Sequence, residues 1–91
     1  MGLDQSFYEV REGSLVDINL EYDLYYFRKN WDLHYDLEEY FDANIINCEY
    51  FIFTIDDIKE MVKIKEFFCL RPLLNKMNHR GLSKVAYQAW W

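Results

Sequence analysis

The run Tyr50–Phe53 (YFIF) passes without a loop into Thr54-Ile55-Asp56-Asp57, and that junction restricts the chain to a mixed fold. Four consecutive apolar residues rich in aromatic rings suit a central strand buried on both faces. Thr54, with Asp57 three residues on, forms a variant capping box, and Asp56 and Asp57 favour the positive end of a helix. A strand must therefore hand over directly to a helix. Through IDDIKEMVKIKEFFCL, Ile55, Ile58, Val62 and Cys69 trace its buried side, flanked by Met61 and Phe68. Arg71-Pro72 ends or kinks that helix. PLLNKMN then forms a short helical turn with Pro72 at its start, and HRGLS is a loop. KVAYQAWW sets Val85, Tyr87 and Ala89 against Ala86, Gln88 and Trp90, which predicts a closing strand.

Upstream, SFYEVRE (Ser6–Glu12) is a first strand and Glu12–Ser14 a turn. Asp17 or Asn19 is a candidate cap for a first helix. From Leu20 the spacing turns helical: Leu20, Leu24, Phe27, Trp31, His34 and Phe41 share one side of an α-helix. Tyr26, Leu33, Leu37 and Tyr40 widen this inward arc. Glu21, Tyr25, Arg28, Asp32, Tyr35, Asp36 and Glu39 fall on the opposite side. Glu38 breaks the pattern on the inward face, one turn after His34. The expected order is β-α-β-α-β: an α+β domain with a small three-stranded sheet and two helices on one face, occupying residues 1–91 as one unit.

Apolar residues make up 52% and aromatics 20% of the 91 residues, enough for a packed core in so short a chain. Some rings must therefore reach the surface, where Tyr and Trp favour interfaces. Charge is divided unevenly. Residues 1–57 carry 14 acids against 3 bases, and residues 58–91 carry 2 against 7, so −11 and +5 give the net −6. A strongly acidic half disfavours DNA and anionic membrane as direct partners and favours a basic protein surface. No apolar run approaches the length of a membrane helix, and the start MGLDQSFYEV lacks a signal-peptide core. Two cysteines, Cys48 and Cys69, form no framework. The expectation is a cytoplasmic protein with reduced thiols.

Few catalytic sets are available. His34 and Glu38, at i and i+4, have the spacing of a metal pair or of a base and its orienting acid. Cys48, Cys69 and His79 are the only distant additions, without a close Cys/His pair. The plainer reading is a core histidine held by Glu38. Cys48 lies beside an apolar strand and acids, which disfavours a thiolate, and Cys69 belongs to the core. With glycine only at positions 2, 13 and 81, there is no phosphate-cradling loop. No cofactor is expected, and an enzyme built on His34, Glu38 and Cys48 ranks last.

Several short motifs recur together in one family. These are MGLD at Met1–Asp4, YFRK at Tyr26–Lys29, LH at Leu33–His34, NC at Asn47–Cys48, FTIDDIKEM at Phe53–Met61 and YQAWW at Tyr87–Trp91. In that order they resemble a family of small phage and prophage proteins to which no activity is assigned. The chain departs from the family in lacking a glycine- and aromatic-rich insert before the last strand. It also places Trp31, Asp32 and Asp36 where many members are small or apolar. Some members bear the name of phosphoglycerate kinase, which the length and the missing phosphate loop argue against. The resemblance implies a phage origin. Small acidic phage proteins include anti-CRISPR and anti-restriction inhibitors of host machinery, an analogy of class only.

The leading expectation is therefore a non-enzymatic inhibitor acting in the host cytoplasm. It would bind a host nucleic-acid-handling defence protein through Glu21, Tyr25, Asp32, Tyr35, Asp36 and Glu39, whose carboxylates imitate a line of phosphates. The alternative is a structural or homo-oligomeric phage accessory protein whose exposed rings pack on a second copy. The basic half around Arg71, Lys76 and Arg80, or Trp90 and Trp91, is the alternative contact.

Overall fold

The computed structural model describes residues 2–11, 17–19 and 24–91. Its elements are β1 (Asp4–Arg11), β2 (Asp17–Asn19), β3 (Tyr25–Arg28), α1 (Trp31–Phe41), β4 (Tyr50–Thr54), α2 (Ile55–Met61), a 3-10 segment (Lys65–Leu70), α3 (Arg71–Arg80) and β5 (Lys84–Trp90). The α+β class holds, but five strands replace the expected three and three α-helices replace two. All described pairings are antiparallel, in the order β2-β1-β5-β4, with β3 beside β2 along the same edge of β1. Among the described residues the sheet thus has five strands in four positions.

Leu3, just before β1, and Phe7 within it are fully buried, as are Val85, Tyr87 and Ala89 of β5. They meet Leu33 and Leu37 of α1, Ile58 and Met61 of α2, Phe67 and Leu70 of the 3-10 segment, and Leu73 and Met77 of α3 in one cluster. One core therefore lies between one sheet face and the helices, as the alternation of the last strand predicts. On the opposite face Tyr8 of β1 and Tyr50 of β4 meet edge to face at 6.1 Å, reaching across β5 where Ala86 is small.

The expected helix from Leu20 to Phe41 is corrected. Residues 20–23 lie outside the described residues, and Tyr25–Arg28 form a strand paired with Asp4–Phe7. Tyr25 and Phe27 are half-buried while Tyr26 and Arg28 are exposed, a period of two. Leu24, Phe27 and Trp31 satisfy a helical spacing by coincidence, and the aromatic run YYF favours a pleated surface. Lys29 then takes a left-handed backbone (φ 57°), which no helix passes through.

The run at Tyr50–Phe53 is an edge strand, not a central one. Tyr50 and Ile52 are exposed, Phe51 is half-buried and only Phe53 is buried. The run lies at the edge because β5 is its only neighbour among the described strands, and it is covered on one face only because the buried cluster lies there. β5 and β1 occupy the centre instead. The capping box forms as expected: Thr54 Oγ1 accepts from the Asp57 N–H (3.1 Å) while Asp57 Oδ2 accepts from the Thr54 N–H (2.9 Å). The helix it starts stops at Met61, however. Ile64 is extended (φ −98°, ψ 132°), and the chain re-enters as a 3-10 segment. β-Branched Val62 and Ile64 favour that break. The shift in phase buries Phe67 and Leu70, leaves Cys69 half-buried and exposes Phe68 beneath the Arg71 guanidinium, 4.0 Å away. Pro72 lies in the first turn of α3, a ten-residue helix that includes His79 and Arg80 and ends on left-handed Gly81 (φ 68°). The predicted loop there shrinks accordingly.

Candidate functional site

Helix α1 carries the candidate site, and two side chains fix where it begins. Asn30 caps it, its Oδ1 accepting from the Leu33 N–H (3.2 Å). Gln5, fully buried in β1, grips the Asn30 backbone from below: Oε1 accepts its N–H (2.9 Å) and Nε2 donates to its carbonyl (3.0 Å). At the far end Asp42 turns left-handed (φ 49°) and closes the helix. Leu33, His34 and Leu37 face the core, so residues three and four apart on the other side face solvent.

That outer side holds Asp32, Tyr35 and Glu39, all exposed, with Asp36 half-exposed between them. Tyr35 is 57% exposed, yet its ring stacks on Trp31 at 5.8 Å, which presents a flat aromatic surface beside the acids. Of the six expected contact residues, these four come together. Tyr25 does not: it lies on β3, packed edge to face on Phe27 and 5.6 Å from Lys76 Nζ. Glu21 lies outside the described residues. Trp31 and Phe41, expected inward, are only half-buried, at the margin of the core.

Beside this ridge lies a hollow of about 350 Å³ lined by Asp36, Glu39, Tyr40, Ile64, Glu66 and Phe67. Tyr40 and Phe67 meet edge to face at 5.5 Å and form an aromatic wall. Glu66 and Phe67 are not legible in the sequence as neighbours of α1, because a continuous helix does not bring them here; the break at Ile64 is what turns them toward it. Partial burial, then the charges of Glu66, Asp32 and Glu39, push the Asp36 carboxyl above its usual range. Among the described residues no ion pair joins Asp36, Glu39 or Glu66 to a base. Glu66, Asp32 and Glu39 thus all oppose the charge on Asp36.

On the inner side of α1, His34 is almost fully buried inside a ring of aromatics, with Trp31, Trp91 and Tyr87 within 6.0 Å of its centroid. Its closest polar partner is the Tyr87 hydroxyl, 2.9 Å from Nδ1, whereas Glu38 Oε1 is 3.8 Å from Nε2. The expected His34–Glu38 hydrogen bond is not formed; the two side chains are neighbours within reach of an electrostatic contact only. Glu38 instead accepts from the Ile45 N–H (2.9 Å). Tyr87 Oη accepts from Gln5 Nε2 (3.0 Å), so its own proton is free to go to Nδ1. This assigns the neutral tautomer with the proton on Nε2, toward Glu38. Nothing in the sequence linked Gln5, His34 and Tyr87, which are brought together only by the sheet.

Burial holds His34 below its usual pKa, partly offset by the Glu38 charge. An unfolded chain would then take up a proton that the folded chain refuses. Stability is full above the ordinary histidine range and declines as pH falls through it. The decline from this group is at most about 1.4 kcal/mol per pH unit. The expected result is a difference between the protein and His34→Asn in urea midpoints followed from about pH 7.5 to 5.5. Parallel profiles would show that His34 does not carry this linkage.

Cys48, exposed, sits at a left-handed turn (φ 68°) with its Sγ 3.5 Å from Asn47 Oδ1. Burial raises the Cys69 thiol pKa, as for an inert core thiol. Among the described residues no three His, Cys, Asp or Glu side chains are grouped to hold a metal ion. No described helix is long and apolar enough to cross a membrane. No family model, curated protein or solved structure matches the chain.

Proposed function

We propose that this chain is a non-enzymatic phage inhibitor that binds a host nucleic-acid-handling defence protein, its contact being the acidic, aromatic outer side of α1. One observation carries the reading: Asp36, Glu39 and Glu66 surround a hollow walled by Tyr40 and Phe67, and among the described residues no base pairs with them. An arginine side chain suits that hollow. Its planar guanidinium pairs with carboxylates and stacks on rings. Bringing it in relieves the repulsion that helps to raise the Asp36 pKa. Asp32, with Tyr35 stacked on Trp31, extends the charged ridge by one turn. A basic groove built for phosphates would be steered to such a line of charge and would lose access to nucleic acid.

The bases of the other half favour the same side. Arg80 lies 3.7 Å from Glu9, Lys76 donates to the Leu24 carbonyl (2.7 Å), and Arg71 lies over Phe68. Each has an intramolecular contact already.

The test uses the chain as bait in bacterial lysate, beside Asp36→Asn/Glu39→Gln/Glu66→Gln. These sites are on the surface, where each change costs within about 0.5 kcal/mol, so the fold survives. The expected result is capture of a basic nucleic-acid-binding protein by the parent, release at high salt, and no capture by the folded variant. The captured protein should lose nucleic-acid binding when the parent is added. Equal capture by parent and variant would sink the proposal.

A further inference from the structure

Strand β4 leaves one edge of the sheet unpaired, since β5 is its only neighbour among the described strands. The Ile55 N–H donates to the Ser83 carbonyl (2.8 Å), and hydrogen-bonded positions recur every second residue in an antiparallel ladder. Phe53 and Phe51 are therefore turned to β5, while Tyr50 and Ile52 present their N–H and C=O groups outward. Outside that ladder, no backbone bond among the described residues involves either one. Thr54 is not available, because its N–H is already held by Asp57. The open edge is thus two residues with alternate spacing, Tyr50 and Ile52, and both side chains are exposed.

From this edge we infer that the protein self-associates through β4, a second copy adding its own β4 antiparallel about a two-fold axis at Phe51. In that register Tyr50 of each copy faces Ile52 of the other, and each of these residues donates and accepts one backbone bond. The aromatic and the β-branched side chain then form a favourable cross-strand pair on the open face. On the helix face the two Phe51 rings oppose each other at the closely spaced, non-hydrogen-bonded position. Phe51 is half-buried in one copy and packs on Phe41 at 5.1 Å, so part of its ring remains to be covered.

Charge supports a copy of the same chain as the occupant. YFIFT has no charged residue and no proline, the usual means by which an edge is kept from pairing. Glu49 flanks the strand, and in this register the two copies' Glu49 residues are four positions apart along the ladder. At ~3.3 Å per residue that is roughly 13 Å, beyond the screening distance at physiological salt. The two Glu49 carboxylates therefore do not oppose pairing at this edge. The surface is distinct from the acidic side of α1, so its test does not depend on the inhibitor reading.

Sedimentation over a range of concentrations, with amide exchange followed by NMR, decides the matter. The expected species approaches twice the 11.2 kDa chain mass as concentration rises, and the Tyr50 and Ile52 amides gain protection in parallel. Ile52→Lys places a charge on an exposed position of the strand and should give a folded monomer. A parent that remains monomeric overturns the inference. So does a dimer whose Tyr50 and Ile52 amides exchange at the monomer rate, a measurement that stands even if the variant fails to fold.

Discussion

Phe7→Ala should remove about 3–5 kcal/mol of stability, the cost of deleting a fully buried aromatic ring from a core that cannot close over the space. Phe7 is 0% exposed and meets Phe27 at 6.1 Å, Phe53 at 6.2 Å and Tyr87 at 5.0 Å. One ring on β1 thus touches β3, β4 and β5 on the core side of the sheet. At roughly 0.05–0.15 kcal/mol per residue, a domain of this length has a margin of about 5–14 kcal/mol, from no larger than the loss to a few times larger. The variant is expected to unfold at a much lower urea concentration, with partial unfolding already in buffer. Phe7→Leu, which keeps most of the volume, should lose far less. A loss under about 1 kcal/mol for Phe7→Ala would contradict the packing described, since core truncations of this kind do not fall so low.

The same ring shows why part of this fold is legible in sequence and part is not. The alternation of Val85, Tyr87 and Ala89 and the capping box at Thr54 and Asp57 are local signals, decided by neighbours within four residues, and both hold in three dimensions. The position of a strand within a sheet is not local. YFIF reads as a central strand because it is apolar throughout, but its place at the edge is decided by pairing with β5 alone, and the exposure of Tyr50 and Ile52 by the helices packing on the other face. Residues 24–31 mislead for another reason. Leu24, Phe27 and Trp31 fit a helical repeat, while Tyr25 and Phe27 fit an alternating one. Pairing with β1 selects the second. The candidate site follows the same division. Asp32, Tyr35, Asp36 and Glu39 share a helix face by spacing alone. Glu66 and Phe67 join them through a helix break at Ile64 that apolar spacing does not encode.

Gln5→Met is the second large effect expected, and it tests what places the acidic helix on the sheet. Gln5 is a polar residue buried at 0% exposure, a costly position unless every polar atom is bonded. Its Oε1 accepts the Asn30 N–H, and its Nε2 donates both to the Asn30 carbonyl and to Tyr87 Oη. Asn30 is the residue that caps α1, and Tyr87 is the partner of His34 in that helix. One amide therefore ties the start of α1 to the central strands, and through Tyr87 it orders the histidine on the helix's inner side. Methionine keeps the length and nearly the volume of glutamine, so little cavity is made and the loss isolates the hydrogen bonds. Leaving the Asn30 N–H without a partner, its carbonyl with only the His34 N–H, and Tyr87 Oη with one fewer bond, should cost about 2–4 kcal/mol in urea unfolding. The N–H groups of the first turn of α1 should also exchange with solvent faster than those of β5, because the helix would fray before the sheet opens. If Gln5→Met proves nearly neutral and Asn30 remains protected, the helix is positioned by Leu33 and Leu37 packing alone. A slow, cooperative loss of the whole sheet would instead place the amide in the core's stability rather than at the helix start. Fraying confined to α1 is the outcome that joins the buried amide to the acidic face. The carboxylates of Asp32, Asp36 and Glu39 can offer a fixed line of charge only while the first turn beneath them is held.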